Sequence, residues 1–401
     1  MKKVFLIDAQ RTAVGNFLGA LKSLNAAKLG SAVVRKILER NNLNGEVIDE
    51  VIAGNILSAG QGQGVARQIS VGAGIPVEVP AYSVNMLCGS GLKAVALAAG
   101  AIQNGEAELI IAGGAESMSN APYLLPAKVR QGIKMGDFKT VDHLVFDALT
   151  DAFSGVHMGV TAENIAEKLN ISRAAQDEFA WKSQQKAITA VDGGEFKDEI
   201  VPLEVADGKN VFMFDKDEYP NRTTSPEKLA LLKPSFKKDG TVTPGNASGI
   251  NDGAAFVLVA SEAAAKKHNL KPMAEIVSFG QAGTDPQTMG LGPVPAIANA
   301  LKKTGMKFGD MEYLELNEAF AAQSLGVTKE LSKAHGMTEE AILSRCNING
   351  GAIALGHPVG ASGARILVTL AHILKRKNVI YGLAGSCVGG GMGIAAIIKN
   401  L

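Results

Sequence analysis

A cysteine lies where a short strand is predicted to turn into a helix, and this position could support nucleophilic chemistry. Cys88 precedes Gly89-Ser90-Gly91, whose small residues allow a sharp turn, and a run rich in Ala, Leu and Val then predicts a helix. The N–H groups and positive dipole at a helix N-terminus stabilise a thiolate, the form of cysteine that attacks a carbonyl carbon. We therefore predict an ionised nucleophile at Cys88. The alternative is ordinary burial, because free cysteines are among the most buried residues.

A histidine in a glycine- and proline-rich loop could serve as a base. His357 lies between Gly356 and Pro358, within the segment 349–363. We predict a rigidly held, exposed imidazole whose pKa stays near its ordinary value, which suits proton transfer at neutral pH. A loop histidine that makes only structural hydrogen bonds is the alternative.

Two further segments could supply an acid or base and hydrogen-bond donors. Cys387 is followed by a glycine-rich turn that includes Gly389, and free backbone N–H groups in such a turn can bind an anion. Asn317, in the segment 315–320, follows a predicted strand, where it could hold a water molecule or donate to an oxyanion. Together with Cys88 and His357, these residues could provide a nucleophile, an oxyanion donor, a base and a second base.

The composition excludes several classes of partner. The 401 residues carry 40 Lys and Arg against 39 Asp and Glu, a net charge of +1, so neither nucleic acid nor an anionic membrane is an expected partner. Three cysteines are too few, and odd in number, for a secreted disulfide framework. The first apolar run stops at Asp8, too soon for a signal-peptide core. We therefore expect a cytoplasmic protein.

Short apolar runs alternate with helical patterns, which predicts a layered α/β fold. Strands are predicted at 4–8, 51–53 and 109–112. From 117 to 249 the pattern changes to short polar segments with two helices, at 161–169 and 172–191, so this part is interpreted as an insertion. Regular α/β character returns with a predicted strand at 255–259.

The chain contains an internal repeat. The segment 89–93 is echoed by 361–365, and each opens a predicted helix followed by an apolar strand that we expect to end at a glycine, Gly113 or Gly385. Ser90 and Ser362 are the same distance from these glycines. The repeat predicts two halves of similar fold whose two helices are neighbours in one central layer. A chance match of short Ser-Gly segments is the alternative.

From Asp8 to the glycine-rich turn near the C-terminus, the chain resembles the thiolase family, most specifically in the segment 349–363. Within the family it is most similar to the short-chain biosynthetic type. The resemblance implies a five-layer αβαβα fold of two similar halves with an inserted loop domain. The implied division is 1–117 plus 250–272 for the first half, 118–249 for a loop domain covering CoA, and 273–401 for the second half. It also implies a tetramer built from tight dimers.

The resemblance implies a role for each residue already singled out. Cys88 would accept the acyl group, and His357 would activate it and polarise the second thioester, with Asn317 anchoring a water molecule in the same oxyanion hole. Cys387 would remove a proton from the methyl group of acetyl-CoA. The backbone N–H groups of Cys88 and Gly389 would form a second oxyanion hole.

The resemblance also implies a CoA-binding surface. His157 would lie near the pantetheine and Met158 would close the acyl pocket, although ordinary packing is the alternative for Met158. Phe236, Ser248 and Ala319 complete the implied set. The implied reaction is the reversible condensation of two acetyl-CoA molecules into acetoacetyl-CoA and CoA. The CoA thioesters are substrates and products, and no metal or other cofactor is implied.

Four other functions remain as alternatives. A degradative thiolase of broader chain length is the nearest, and chain-length profiling would separate it. A ketoacyl synthase is disfavoured by Cys387 in its glycine-rich turn, and a dinucleotide-dependent oxidoreductase by the lack of a Gly-x-Gly-x-x-Gly segment after the first strand. A non-catalytic CoA-binding protein would form no acyl-Cys88.

Overall fold

The structure, a computed structural model that describes residues 2–401, alternates strands and helices along most of the chain. The strands are β1 (Val4–Thr12), β2 (Gly15–Asn16), β3 (Glu50–Gly54), β4 (Ala81–Val84), β5 (Leu109–Ser117), β6 (Tyr123–Leu124), β7 (Val141–Asp142), β8 (Ile200–Val201), β9 (Leu203–Asp207), β10 (Asn210–Phe214), β11 (Asn251–Ser261), β12 (Ala274–Gly283), β13 (Tyr313–Leu316), β14 (Tyr381–Val388) and β15 (Met392–Asn400). The helices are α1 (Ala26–Arg40), α2 (Val65–Gly72), α3 (Ser90–Asn104), α4 (Met158–Lys168), α5 (Arg173–Asp192), α6 (Pro226–Ala230), α7 (Glu262–Lys267), α8 (Pro293–Thr304), α9 (Ala321–His335), α10 (Glu339–Leu343), α11 (Ala352–Leu355) and α12 (Val359–Lys377).

Three large apolar cores divide the molecule into five layers. One core lies between helices α1 and α2 and the sheet region of β1, β11, β5 and β3. A second surrounds the central helices α3 and α12, with strands of both halves on either side of them. A third lies between the region of β12 to β15 and helices α8 and α9. The order helix, sheet, helix, sheet, helix confirms the predicted αβαβα fold.

The two sheet regions are joined only along a short edge. The strand order is β13-β14-β15-β12-β1-β11-β5-β3-β4, and the junction between β12 and β1 consists of two residue pairs, Phe5 with Glu275 and Leu6 with Ala274. Strands β3, β4 and β5 pair in parallel, as do β13 and β14, and the other neighbours along this order are antiparallel. Each half therefore contributes its own sheet region to the fold.

The two central helices touch through a reciprocal pair of glycines. A Cβ atom at Gly91 would lie 2.7 Å from the backbone nitrogen of Ala364, and one at Gly363 would lie 2.7 Å from that of Leu92. These residues occupy corresponding positions in the repeat, and only a residue without a side chain permits such an approach. The prediction that the helices are neighbours in the central layer is confirmed.

Two predicted boundaries of the repeat are wrong. Strands β5 and β14 continue past Gly113 and Gly385 to Ser117 and Val388. Gly113 pairs with Phe256 in the sheet, and a Cβ atom there would lie 2.1 Å from the carbonyl oxygen of a neighbouring strand. These glycines mark close packing inside a strand rather than its end, because a glycine can remain in the sheet ladder.

The segment predicted as an insertion leaves and rejoins one pair of neighbouring strands. Ser117 at the end of β5 lies opposite Asp252 near the start of β11. The predicted helices are present as α4 and α5, and the Ser172 side chain caps α5 by accepting a hydrogen bond from the backbone nitrogen of Ala175. The division into three domains stays a prediction. Across residues 2–401, no helix combines the length and apolar character needed to cross a membrane.

Candidate active site

A cavity of about 520 Å³ opens where both halves and the intervening segment meet. Its size suits an extended small-molecule ligand, and its walls are mostly apolar. Its lining includes these residues predicted from the sequence: Cys88, His157, Met158, Phe236, Ser248, Ala319, His357 and Gly389. Asn317 and Cys387 are not among the lining residues and lie behind its wall, where each approaches a residue that is.

Cys88 sits on a tight turn between β4 and α3. The preceding residue, Leu87, has a φ of 45°, a left-handed conformation that is uncommon for a residue with a side chain. The Ser90 hydroxyl holds this turn, because it accepts a hydrogen bond from the backbone nitrogen of Met86 at 2.8 Å and donates to the Leu87 carbonyl at 2.7 Å. The turn presents Cys88, half-buried, to the cavity.

The predicted ionised thiolate at Cys88 is wrong for the free protein. Burial raises the pKa of the Cys88 thiol to about 11, and the backbone N–H groups of Gly389 and of Cys88 itself lower it only in part. The helix N-terminus therefore does not compensate for loss of water. The same two N–H groups are the pair expected to form an oxyanion hole, and both lie at the thiol.

His357 is buried, with 6 % of its surface exposed, so the predicted exposed imidazole is also wrong. Its backbone nitrogen donates to the Asn251 Oδ1 atom at 2.9 Å, and its Nδ1 atom lies 2.6 Å from the Ser362 hydroxyl. Its Nε2 atom lies 3.5 Å from the Asn317 side-chain nitrogen. The ring is thus held at both ends and at the backbone.

The environment keeps the His357 ring neutral. Burial is the larger cause and the Arg365 cation the smaller one, and together they lower the pKa of His357 to about 3, which replaces the predicted ordinary value. A neutral imidazole can accept a proton. The thiol of Cys88 and this ring each resist ionising alone, but ionising as a pair would be favoured by their mutual attraction.

Asn317 and Cys387 complete the polar groups of the site. Asn317 directly follows β13, is 1 % exposed, and its Oδ1 atom has no hydrogen-bond partner in the described part of the chain. Cys387 lies near the end of β14, fully buried, and packs in the same apolar cluster as Met158 and Ala319. Burial raises the pKa of its thiol, and the nearby Cys88 raises it further. Both residues are therefore close to the reacting groups without facing the open cavity.

The intervening segment supplies an aromatic wall. The His157 ring stacks on the Phe236 ring with centroids 4.7 Å apart, and its Nδ1 atom caps α4 by accepting from the Gly159 nitrogen at 3.0 Å. A Cβ atom at Gly159 would lie 2.3 Å from the Phe236 ring, so this glycine allows the helix to meet the ring. The backbone nitrogen of Ser248 donates to the Ala319 carbonyl at 2.9 Å and ties the segment to the second half.

Two supporting residues, Asn251 and Glu116, were not predicted from the sequence. Asn251 holds the His357 backbone, as described, and also donates from its side chain to the Gly15 carbonyl. The Glu116 carboxylate accepts hydrogen bonds from the backbone nitrogens of Ile56, Leu57 and Gly360. Their partners are distant in sequence, so no local pattern points to them. Phe320 also lines the cavity and could have been found beside Ala319.

Among residues 2–401 there is no group of three or more His, Cys, Asp or Glu side chains placed to hold a metal ion. The expected absence of a cofactor stays a prediction.

The chain is similar to known proteins over its full length. Residues 4–263 match the model of the thiolase N-terminal domain and residues 270–400 that of the thiolase C-terminal domain. The chain is 52 % identical to an acetyl-CoA acetyltransferase of Pseudomonas aeruginosa, covering 100 % of both chains. A solved acetyl-CoA acetyltransferase from Syntrophomonas wolfei superimposes with a TM-score of 0.97 at 41 % identity, covering 100 % of both chains. The human mitochondrial 3-ketoacyl-CoA thiolase gives a TM-score of 0.94 at 44 % identity, covering 100 % of this chain and 99 % of that one.

Proposed function

The chain belongs to the thiolase family, and from this premise we propose that it is an acetyl-CoA C-acetyltransferase. It condenses two acetyl-CoA molecules reversibly into acetoacetyl-CoA and CoA. The observation that carries the proposal is the meeting of Cys88, the His357 ring and the N–H of Gly389 at one cavity. A nucleophile, a neutral base and oxyanion donors are what acyl transfer from a thioester requires.

The first half of the reaction loads an acetyl group onto Cys88. The Cys88 proton moves to the Nε2 atom of His357 as the sulfur attacks the thioester carbonyl. The N–H groups of Cys88 and Gly389 stabilise the oxyanion that forms. The bond to the CoA sulfur then breaks, and the departing CoA thiolate takes a proton from Cys387. Acetyl-Cys88, an imidazolium and a Cys387 thiolate remain.

The second half forms the carbon–carbon bond. Cys387 removes a proton from the methyl group of a second acetyl-CoA, and the enolate oxygen is stabilised by the His357 imidazolium and by a water molecule held by Asn317. The enolate carbon attacks acetyl-Cys88, and the bond to the Cys88 sulfur breaks. Cys88 then recovers its proton from His357. No electrons are gained or lost overall, so the proposed reaction needs no redox cofactor.

The acyl pocket favours a short chain. Met158 is 7 % exposed and lines the cavity at the first turn of α4, and its sulfur lies 3.7 Å from the position that a Cβ atom of Gly389 would occupy. It therefore packs against the turn that supplies an oxyanion donor. A degradative 3-ketoacyl-CoA thiolase remains the second candidate, since a solved structure of that name is 44 % identical. Rates with acetoacetyl-CoA and with longer 3-ketoacyl-CoA substrates separate the two.

Mass spectrometry after brief exposure to acetyl-CoA tests the proposal. We expect an acetyl adduct of ~42 Da, the mass of an acetyl group replacing a proton, on Cys88 of the wild-type chain. The adduct should persist in Cys387→Ala, while condensation to acetoacetyl-CoA is lost, and should be absent in Cys88→Ala. Cys346→Ala is the matched control, because Cys346 is buried in the separate core around α8 and α9. A wild-type chain without the adduct would leave only CoA binding.

We also propose a homotetramer, a dimer of dimers, in the cytoplasm. Large apolar side chains are exposed between β5 and α4, including Tyr123, Leu125, Phe146 and Phe153. Exposed apolar groups of this number in one segment support an interface with another copy. Light scattering on the purified chain measures the mass, and a monomer would contradict the proposal.

A further inference from the structure

The Ser362 hydroxyl lies directly behind the base of the proposed reaction. Its oxygen is 2.6 Å from the Nδ1 atom of His357 and 2.9 Å from the carbonyl oxygen of Pro358. Ser362 has no exposed surface, and it lies on the first turn of α12. The hydroxyl therefore has two partners, one on the histidine ring and one on the backbone, and no access to bulk water.

The number of protons shared by these groups determines which ring nitrogen of His357 is protonated. A hydroxyl carries one proton, and a carbonyl oxygen can only accept. A serine on a helix commonly donates to the carbonyl four residues earlier, which here belongs to Pro358. The Ser362 oxygen is then left as an acceptor, so the Nδ1 atom of His357 must donate to it. With Ser362 donating to Pro358, the proton of the neutral ring belongs on Nδ1, and Nε2 keeps its lone pair.

We propose that Ser362 is a positioning residue that holds the proton of His357 on Nδ1 and so keeps Nε2 unprotonated to accept the proton of Cys88. The inference deepens the proposed function and rests on it. No atom of Ser362 touches the substrate. It acts through the ring, as the orienting member of a nucleophile, base and orienter arrangement does.

The same hydrogen bond serves both halves of the reaction. When Nε2 takes the proton of Cys88, the imidazolium still donates from Nδ1 to Ser362, so this hydrogen bond does not need to reorganise. During the second half, Nε2 carries the N–H that stabilises the enolate. The ring changes from base to donor by one proton on one nitrogen, because the other nitrogen is occupied throughout.

An uncharged orienter suits this buried ring. The charged group that acts on His357 is the Arg365 cation, which lies on α12 together with Ser362, and it disfavours the imidazolium. The other contacts come from the neutral Asn317 side chain after β13 and from the Asn251 side chain on β11, which holds the backbone. A carboxylate behind Nδ1 would favour the charged ring at rest. A hydroxyl fixes the tautomer without that effect.

Nitrogen NMR of the full-length wild-type chain, labelled with 15N in histidine, tests the assignment directly. The chain has six histidines, and His357→Asn identifies the signals of interest by their loss. The 15N shifts and couplings distinguish a protonated Nδ1 from a protonated Nε2. We expect His357 to carry its proton on Nδ1 in the free protein. A ring protonated on Nε2 would overturn the proposal, and this measurement needs no change at Ser362.

Ser362→Ala tests the consequence for the reaction. We expect the rate of Cys88 acetylation in a single turnover to fall roughly 10- to 100-fold, because Nδ1 loses its only acceptor and the tautomers mix. The His357 signals should shift toward protonated Nε2. Ser31→Ala is the matched control, since Ser31 is also buried on a helix and donates to the carbonyl four residues earlier, on α1. It should acetylate at the wild-type rate.

The outcomes separate this proposal from the proposed function. If Ser362→Ala acetylates as fast as Ser31→Ala, or slows while the His357 signals stay unchanged, Ser362 has no role through the tautomer. If the wild-type chain forms no acetyl-Cys88, the proposed function fails first, and the reaction that the positioned base would serve fails with it. A protonated Nδ1 together with a selective loss in Ser362→Ala supports the proposal.

Discussion

Serines at corresponding positions of the two halves serve different purposes. In the first half, Ser90 bonds only to backbone, accepting from the Met86 nitrogen and donating to the Leu87 carbonyl. In the second half, Ser362 bonds to the Pro358 carbonyl and to the His357 ring. The first serine shapes a strained turn that presents a nucleophile, and the second orients a base. The repeat thus preserves the scaffold while the chemistry differs.

The comparison also explains why the site needs both turns. Burial raises the pKa of Cys88 to about 11 and lowers that of His357 to about 3, so neither turn holds a charged group at rest. Neither group ionises unless the proton passes from one to the other. The close packing of α3 and α12 through Gly91 and Gly363 brings both turns to one cavity, where a proton can pass between them.

Of these changes, removing the base of the second turn should have the largest effect. His357→Asn leaves the Cys88 turn intact but removes the proton acceptor, so we expect single-turnover acetylation of Cys88 to fall about 10³-fold. Quenched-flow mass spectrometry measures the rate. His268→Asn is the control, because His268 lies at the end of α7 and does not line the cavity. Acetylation at the wild-type rate in His357→Asn would mean that Cys88 ionises without help from the second turn.

The pH dependence of stability should next distinguish the turn of His357 from the turn of Cys88. The pKa of His357 falls from 6.5 to about 3 on folding, so the unfolded chain binds more protons between these values and stability is lost as the pH falls through this window. This group alone should cost roughly 2 kcal/mol between pH 7 and pH 5. Denaturant unfolding at both values measures it. The decline should be smaller by that amount in His357→Asn, and an equal decline would show that the ring is not buried in its neutral form.

The sequence predicted the scaffold well because its signals are local or repeated. Alternating strands and helices, the serine cap of α5 and the repeat around Ser90 and Ser362 each depend on neighbouring residues. The state of the site could not be predicted in the same way. Whether Cys88 or His357 is charged depends on burial by distant segments and on Arg365, and a helix N-terminus or a glycine-rich loop reveals neither. Asn251 was missed for the same reason.

Changing the serine of the first turn should have a different signature from changing that of the second. Ser90→Ala removes two backbone contacts of a buried hydroxyl, so we expect about 2 kcal/mol less stability. The His357 ring signals should keep their wild-type tautomer, because Ser90 does not contact the ring. Denaturant unfolding and histidine NMR on one sample give both readings. A changed tautomer in Ser90→Ala would show that the two turns are coupled rather than independent.

The smallest effect should come from changing Met158, which lies in the cavity wall and belongs to neither turn. Met158→Ala removes a side chain that packs toward the Gly389 turn, so the acyl pocket should lengthen. We expect the ratio of kcat/KM for propionyl transfer to that for acetyl transfer to rise about tenfold, the lower end of what one methylene group is worth in an apolar pocket. Met311→Ala, in the separate core around α8 and α9, controls for loss of a buried methionine.

We expect different parts of the molecule to set different properties of the reaction. Cys88 and His357 come from the two repeated halves and would determine whether an acyl group is transferred, whereas Met158 comes from the segment between β5 and β11 and would determine its length. Met158→Ala should therefore leave the tautomer of His357 unchanged and acetyl transfer nearly so. If the variant instead loses acetylation of Cys88 without gaining longer substrates, Met158 supports the Gly389 turn, and the intervening segment contributes to the chemistry as well as to the size of the pocket.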